Sequence, residues 1–278
     1  GLFLSLQLKK QMKDALDQFE RWGVKGFMVD FVDRDDQVMV NFYELVLKEA
    51  AKRKLFVNFH GAFKPTGLQR KYPNQLTREA VLGHEFNMWS DRVTPDHTLT
   101  IPFIRMLAGP MDYEGGSMQN AQKKDFRSIF EKPMSQGTRT QQLAQYVVYI
   151  SPLQYLAGNP SDYLREPEFT ELLASVPTTW DETVVIEGKI SDYLVIARKH
   201  NNEWFVAAMT DWDKRSLEID LSFLDHKDYE SVICRDGINA DKYASDYKIE
   251  KLNISSDDKI KIELAPGGGW FARLTPVK

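Results

Sequence analysis

At 278 residues, with 42% hydrophobic side chains, the chain carries enough apolar material for a real core and has the length of two ordinary domains. Its 36 basic and 40 acidic residues are dispersed, for a net charge of −4, so there is no basic stripe to grip a phosphate backbone and no nucleic-acid partner is expected. No apolar run reaches the roughly 20 residues that a membrane span needs, and the single cysteine, Cys234, excludes an internal disulfide.

The chain begins at Gly1, and GLFLSLQL is too short and too poorly flanked to be a signal peptide; a trimmed or partial chain is the expectation. LKKQMKDALDQFERWG predicts a helix with Leu8, Met12, Ala15, Leu16, Phe19 and Trp22 on one face, ended by Gly23. GFMVDF (26–31) predicts a strand, VNFYELVLKEAAKRK (40–54) a helix and LFVNFH (55–60) a second strand. EAVLGHEF (79–86) predicts a third, with further strands near 102 and 153, and RTQQLAQYVVYI (139–150) another helix. Strands alternating with amphipathic helices imply a parallel sheet, and short apolar strands imply that both of its faces are covered. From about Trp180 the period changes. YLVIARK and EWFVAAMT flank the hairpin signal HNN, while SLEIDLSF and KIKIELA alternate strictly. That pattern predicts an antiparallel β-sandwich with one solvated face. The boundary falls near 177–183, giving domains 1–178 and 179–278. The glycines at 267–269 lack the lysine and helix of a phosphate cradle and predict a turn.

Four or five parallel strands are too few for a closed (β/α)8 barrel. Either the sheet is open, or the chain holds the second half of such a barrel. In both architectures ligands gather at the carboxyl ends of the strands. Those ends offer Asp30, His60 and Glu85, with Glu79 at the start of the third strand. An acid in a strand's apolar frame costs desolvation, so Asp30 is more informative than Asp33, Asp35 or Asp36, which predict a solvated loop and helix N-terminal charge. Paired carboxylates suit glycoside hydrolysis, and on pattern alone Asp30 and Glu85 fit a structural ion pair equally well. Trp89, in the loop after Glu85, fits a sugar-stacking ring or, equally, a ring buried under that loop. His84 predicts a structural role.

The run HGAFKPTGLQRKYPNQLTREAVLGHEF (60–86), preceded by GVKGFMVDFVDRDDQ, resembles glycoside hydrolase family 97, as do IPFIRMLAGPMDYEGG (101–116) and SPLQYLAGNPSDY (151–163). The resemblance covers nearly the whole chain. It implies the fold α/β followed by all-β: the second half of a (β/α)8 TIM barrel, then a C-terminal β-sandwich, with the N-terminal sandwich and first strands as the remaining part of the same enzyme. In the inverting branch of that family the residue after the strand-end histidine is a glutamate; in the retaining branch it is glycine. Here it is Gly61. The resemblance therefore implies a retaining exo-α-glycosidase, an α-galactosidase, with Asp30 as nucleophile, Glu85 as general acid/base and His60 as a partner of sugar hydroxyls. It also implies Ca2+ on Glu79 and Glu85, a periplasmic location and an α-linked galactoside oligosaccharide as substrate. Calcium needs six to eight oxygens, and it favours the ionised Glu85 whereas a general acid must hold a proton. The alternatives are an α-glucosidase of the same fold and a non-catalytic carbohydrate-binding protein.

Overall fold

The computed structural model describes residues 2–277, and side chains from residue 11 onward; Gly1 and the side chain of Leu8 lie outside the described residues. The chain forms two compact units. The first comprises Gly1–Val81, Ala108–Asp112 and Ser151–Leu153; the second comprises Leu82–Leu107, Tyr113–Ile150 and Gln154–Lys278.

In the first unit, α1 (Leu2–Arg21) ends in a left-handed Gly23, and the Val24 amide donates back to the Phe19 carbonyl at 3.1 Å. Leu16 is buried, and Met12 and Phe19 pack against the same core. Ala15 and Trp22, expected on that face, are exposed. The strands β1 (Gly26–Val29), β2 (Phe56–Phe59) and β3 (Gln75–Arg78) form a parallel sheet in that order. Between β1 and β2 runs α2 (Gln37–Ala51), capped by Asp36, whose carboxylate accepts the Met39 amide at 3.1 Å. Phe42, Tyr43, Val46, Leu47 and Ala50 of α2 pack on Leu55, Val57 and Phe59. Coverage of the sheet is incomplete: Met28 on β1 and Phe56 on β2 are exposed.

The third strand is not where the apolar run placed it. β3 is the polar segment QLTR, followed by Glu79, and residues 84–88 form a 3-10 turn. A buried Arg78 fits in β3 because its guanidinium lies over the rings of Tyr43 (4.3 Å) and Phe63 (4.8 Å). Among the described residues the sheet continues as a single parallel bridge, Arg78 to Met111.

In the second unit, the expected strand near 102 is helix α3 (Pro95–Ile104). Thr94 caps it by accepting the His97 amide, and Pro95 takes the first turn, where no amide is needed. Pro102 inside it has no N–H for the Thr98 carbonyl, and the Tyr149 hydroxyl donates there instead, at 2.8 Å. No strand forms near 153. A short parallel pair, β4 (Asn120–Ala121) and β5 (Ser135–Gln136), precedes α4 (Arg139–Val148). Then come α5 (Pro160–Leu164) and α6 (Pro167–Ala174).

The remaining strands are β6 (Glu182–Lys189), β7 (Tyr193–His200), β8 (Glu203–Thr210), β9 (Arg215–Asp220), β10 (Asp228–Asp236), β11 (Tyr247–Ser255), β12 (Lys259–Leu264) and β13 (Gly269–Pro276). Six form an antiparallel sheet in the order β11-β10-β13-β8-β7-β6, and β9 pairs with β12. Between β7 and β8, Asn201 adopts the left-handed conformation of a tight hairpin. The alternating residues Ile219, Ile262 and Leu264 face Val195, Trp204, Val206, Trp270 and Ala272 across the sandwich.

The expected solvated face is not general. Leu194, Ile196, Phe205, Ala207 and Phe271 are also buried. The reason is α4, which is buried along its whole length and packs on β8 and β13. The glycine turn before β13 makes that closeness possible: a Cβ on Gly269 would stand 2.5 Å from the Gln141 backbone, and one on Gly267 2.8 Å from Gly137 Cα. Among the described residues, no helix is long and apolar enough to cross a membrane.

Candidate active site

Of the expected site residues, Asp30, His60 and Glu79 belong to the first unit and Glu85 and Trp89 to the second. Asp30 is the first residue after β1. It is exposed rather than set in the strand's apolar frame, and its Oδ1 accepts the amide of Phe31 at 2.6 Å. His60 follows β2 and is buried. Its amide donates to the Val29 carbonyl at 2.9 Å, tying the ends of β1 and β2 together. Its Nε2 lies 2.6 Å from Oδ2 of Asp112, and that same oxygen accepts from Asn58 Nδ2 at 2.8 Å.

Asp112 is a buried carboxylate that sequence reasoning passed over. Its amide donates to the Arg78 carbonyl at 3.1 Å, which continues the register of β3. The signal was present: in GPMDYEGG the acid is flanked by Met111 and Tyr113, both buried. Asp112 fixes the orientation of the His60 ring, as a carboxylate behind an imidazole does.

Glu79 follows β3, and its amide donates to Phe59 O at 2.9 Å. Its Oε2 accepts the Gly61 amide at 2.7 Å. Gly61 itself is left-handed (φ 51°). A Cβ there would stand 2.7 Å from Asp33 Oδ1, 3.1 Å from the Phe31 nitrogen and 3.2 Å from its Cα. Backbone and space both favour glycine at this position.

In the second unit, Glu85 sits in the 3-10 turn His84–Met88. The His84 amide donates to the Tyr113 carbonyl at 2.9 Å, which anchors the turn. The His84 ring is buried beside Asn87 Nδ2 (3.3 Å), and burial pushes it down to about 4, so it stays neutral at physiological pH. His97 Nε2 lies 2.8 Å from the Leu82 carbonyl at the start of the same segment. Trp89 is 48% exposed, with Phe86 at 5.3 Å and Phe130 at 6.3 Å from its ring. Glu85 forms part of the wall of a cavity of about 490 Å³ whose lining comes wholly from this unit.

Two family descriptions match the chain: Glycoside hydrolase 97 over residues 2–81, and Glycosyl-hydrolase 97 C-terminal, oligomerisation, over 179–275. A retaining alpha-galactosidase of Bacteroides thetaiotaomicron is 46% identical over 270 residues, which is 96% of this chain and 40% of that protein. A probable retaining alpha-galactosidase of Streptomyces bingchenggensis is 32% identical over 217 residues, 78% of this chain and 32% of that protein. Among solved structures, a glycoside hydrolase family 97 enzyme of Pseudoalteromonas sp. strain K8 in complex with panose superposes with a TM-score of 0.88 at 35% identity. The match covers 98% of this chain and 45% of that one. The chain thus spans less than half the length of these relatives. It has the second half of a (β/α)8 barrel followed by an antiparallel β-sandwich, and the two family matches together take in more than half of its residues. The chain belongs to glycoside hydrolase family 97.

Proposed function

We propose that the protein carrying this chain is a retaining exo-α-galactosidase. The observation that carries the reading is Gly61. Retention needs a carboxylate nucleophile rather than a base that activates water. At position 61, where the inverting branch is expected to place a glutamate, the backbone is left-handed and a Cβ would crowd Asp33 and the Phe31 backbone, which disfavours any side chain. The relative at 46% identity supports the same branch and the same sugar.

In this reading Asp30 attacks the anomeric carbon while Glu85 delivers its proton to the leaving oxygen, giving a β-linked glycosyl-Asp30 ester. Glu85, now a carboxylate, takes a proton from water, which attacks the same carbon and releases Asp30. Two inversions restore the α configuration. His60, held by Asp112, and the half-exposed Trp89 are assigned to the sugar, as hydroxyl partner and stacking face.

Glu79 and Glu85 would hold a calcium ion. Their donor chemistry fits in kind, being hard carboxylate oxygen, though two carboxylates offer at most about four of the six to eight oxygens required. When bound, the ion supplies a fixed positive charge that orients these carboxylates. Metal content of the full-length protein and of its Glu79→Gln variant tests this assignment.

A second sugar stands behind the first, because the family 97 structure that matches over 98% of this chain binds panose. The deciding experiment is NMR of the first-formed anomer with aryl α-galactoside and aryl α-glucoside, using the full-length protein. An α-anomer from the galactoside is expected. A β-anomer overturns retention, and preferential cleavage of the glucoside overturns the choice of sugar.

A further inference from the structure

Two buried arginines stand at the ends of α4, and they are satisfied differently. Arg139, at its start, pairs with Glu166 at 2.9 Å. Arg198, on β7 at the other end, is 4% exposed, and its hydrogen bonds go to neutral oxygens. Its Nη1 donates to Thr183 Oγ1 at 2.8 Å, and its Nη2 donates at 3.2 Å to the carbonyl of Val148, the last residue of α4. A helix C-terminus carries about half a negative charge, so that carbonyl offsets only part of the guanidinium. Burial pushes Arg198 down to about 10, and no carboxylate draws it back up. Arginine keeps its proton in proteins, so a net positive charge is left inside, where charges are ordinarily paired.

Two donors at this place also lack acceptors. Among the described residues neither Arg198 Nε nor Trp180 Nε1 has a hydrogen-bond partner, although both atoms are shut off from solvent. The groups are neighbours. The guanidinium carbon lies 5.9 Å from the Trp180 ring, which packs edge-on against Phe205 at 5.5 Å. Buried N–H groups without a partner are rare in native proteins. The missing partner accepts hydrogen bonds and carries negative charge. A water supplies no charge and brings two protons that need acceptors of their own. A phosphate or sulfate would bury three or four oxygens against two donors and leave the rest unpaired. A single spherical anion meets both demands.

We infer that Arg198 Nε and Trp180 Nε1 bind a chloride ion, the counter-ion of Arg198 where β7 meets the end of α4. The site is independent of the proposed hydrolysis. The test follows thermal unfolding of the full-length protein in sodium chloride, and in sodium gluconate at the same ionic strength. The wild-type melting temperature should rise by about 2 °C or more across the chloride titration. Trp180→Phe keeps a ring against Phe205 and removes one donor. Losing a hydrogen bond to a charged group weakens binding about tenfold or more, so half of the rise should need at least about tenfold more chloride. Wild-type crystals grown with bromide should show an anomalous peak within hydrogen-bond reach of both nitrogens. Equal melting temperatures in chloride and gluconate, an unchanged half-point in Trp180→Phe, or no bromide peak overturn the site. Bromide there without a chloride effect on melting is an adventitious ion only, and also overturns it. If Trp180→Phe does not fold, the two wild-type measurements decide.

Discussion

At the scale of single residues, the assignment turns on Asp30 and on the glycine that makes room beside it. Asp30→Gly removes the nucleophile we assign and should abolish hydrolysis by the full-length protein. Azide, small enough to fill the space, should restore cleavage of an activated aryl α-galactoside from the face that Asp30 occupied and give the β-galactosyl azide. An α-galactosyl azide, or near-normal hydrolysis by the variant without azide, removes Asp30 from its role. Gly61→Ala probes the neighbouring backbone. Its left-handed φ costs an L-residue about 1–2 kcal/mol, and the added methyl meets Asp33 and the backbone of Phe31, one residue from Asp30. A lowered melting temperature is expected, together with a fall in kcat of at least tenfold, since displacing Phe31 displaces the attacking carboxylate. Wild-type kcat in a folded Gly61→Ala enzyme would show that this position tolerates a side chain.

At the scale of elements, the contact between α4 and the sandwich centres on Asp236 at the end of β10. Its Oδ2 accepts the amides of Ala265 (2.9 Å) and Gly269 (3.1 Å), beside Thr138 and Thr140 at the start of α4. Complete burial pushes this carboxyl up to about 7 from 3.8, against the hydrogen bonds that pull it down. The folded state therefore holds a proton that the unfolded state has released, and stability is lost as pH rises from about 4 to about 7. Asp236→Asn keeps an acceptor for the two amides and does not titrate. Its melting temperature should match wild type near pH 4 and exceed it above pH 7, by an amount worth roughly 4 kcal/mol at most. A difference that stays constant across this range would sink the argument. Nothing in the sequence marks Asp236, because its partners arrive from 29 to 98 residues away. The same limit explains the other departures. The β7–β8 hairpin was legible because its turn residues sit between the strands. β3 was not, because QLTR looks exposed until the rings of Tyr43 and Phe63 cover Arg78. IPFIRML reads as strand by apolarity, yet Thr94 and Pro95 start a helix there. Asp30 and Glu85 were singled out because they close runs that read as strands, and Glu79 because it opens one, whereas Asp112 follows a Gly-Pro loop with no such run before it.

At the scale of the molecule, the chain spans 40% of the length of the B. thetaiotaomicron enzyme to which it is 46% identical. Within the first unit, β1 is an edge of its sheet, and Asp30 lies directly beyond that edge strand. Met28, Phe31 and Phe56 expose apolar surface on or beside the same edge, with Phe31 87% exposed. An open strand with apolar neighbours offers unpaired N–H and C=O groups to any extended chain, and soluble proteins cover such edges. The nucleophile we assign therefore stands beside an uncovered edge, where small displacements are cheap. A nucleophile must be held to within a fraction of an ångström, and misplacement by about 1 Å costs on the order of a hundredfold in rate. The isolated 278-residue chain should consequently hydrolyse aryl α-galactosides at least a hundredfold more slowly than the full-length protein, and should self-associate through β1. Size-exclusion chromatography and kcat/KM on the same preparation check both halves of the expectation. Lysine substitutions at Met28 and Phe56 should make the isolated chain monomeric without restoring activity, since they block pairing but supply no neighbouring strand. A monomeric isolated chain with full-length activity would show that Asp30 is held by the residues of this chain alone.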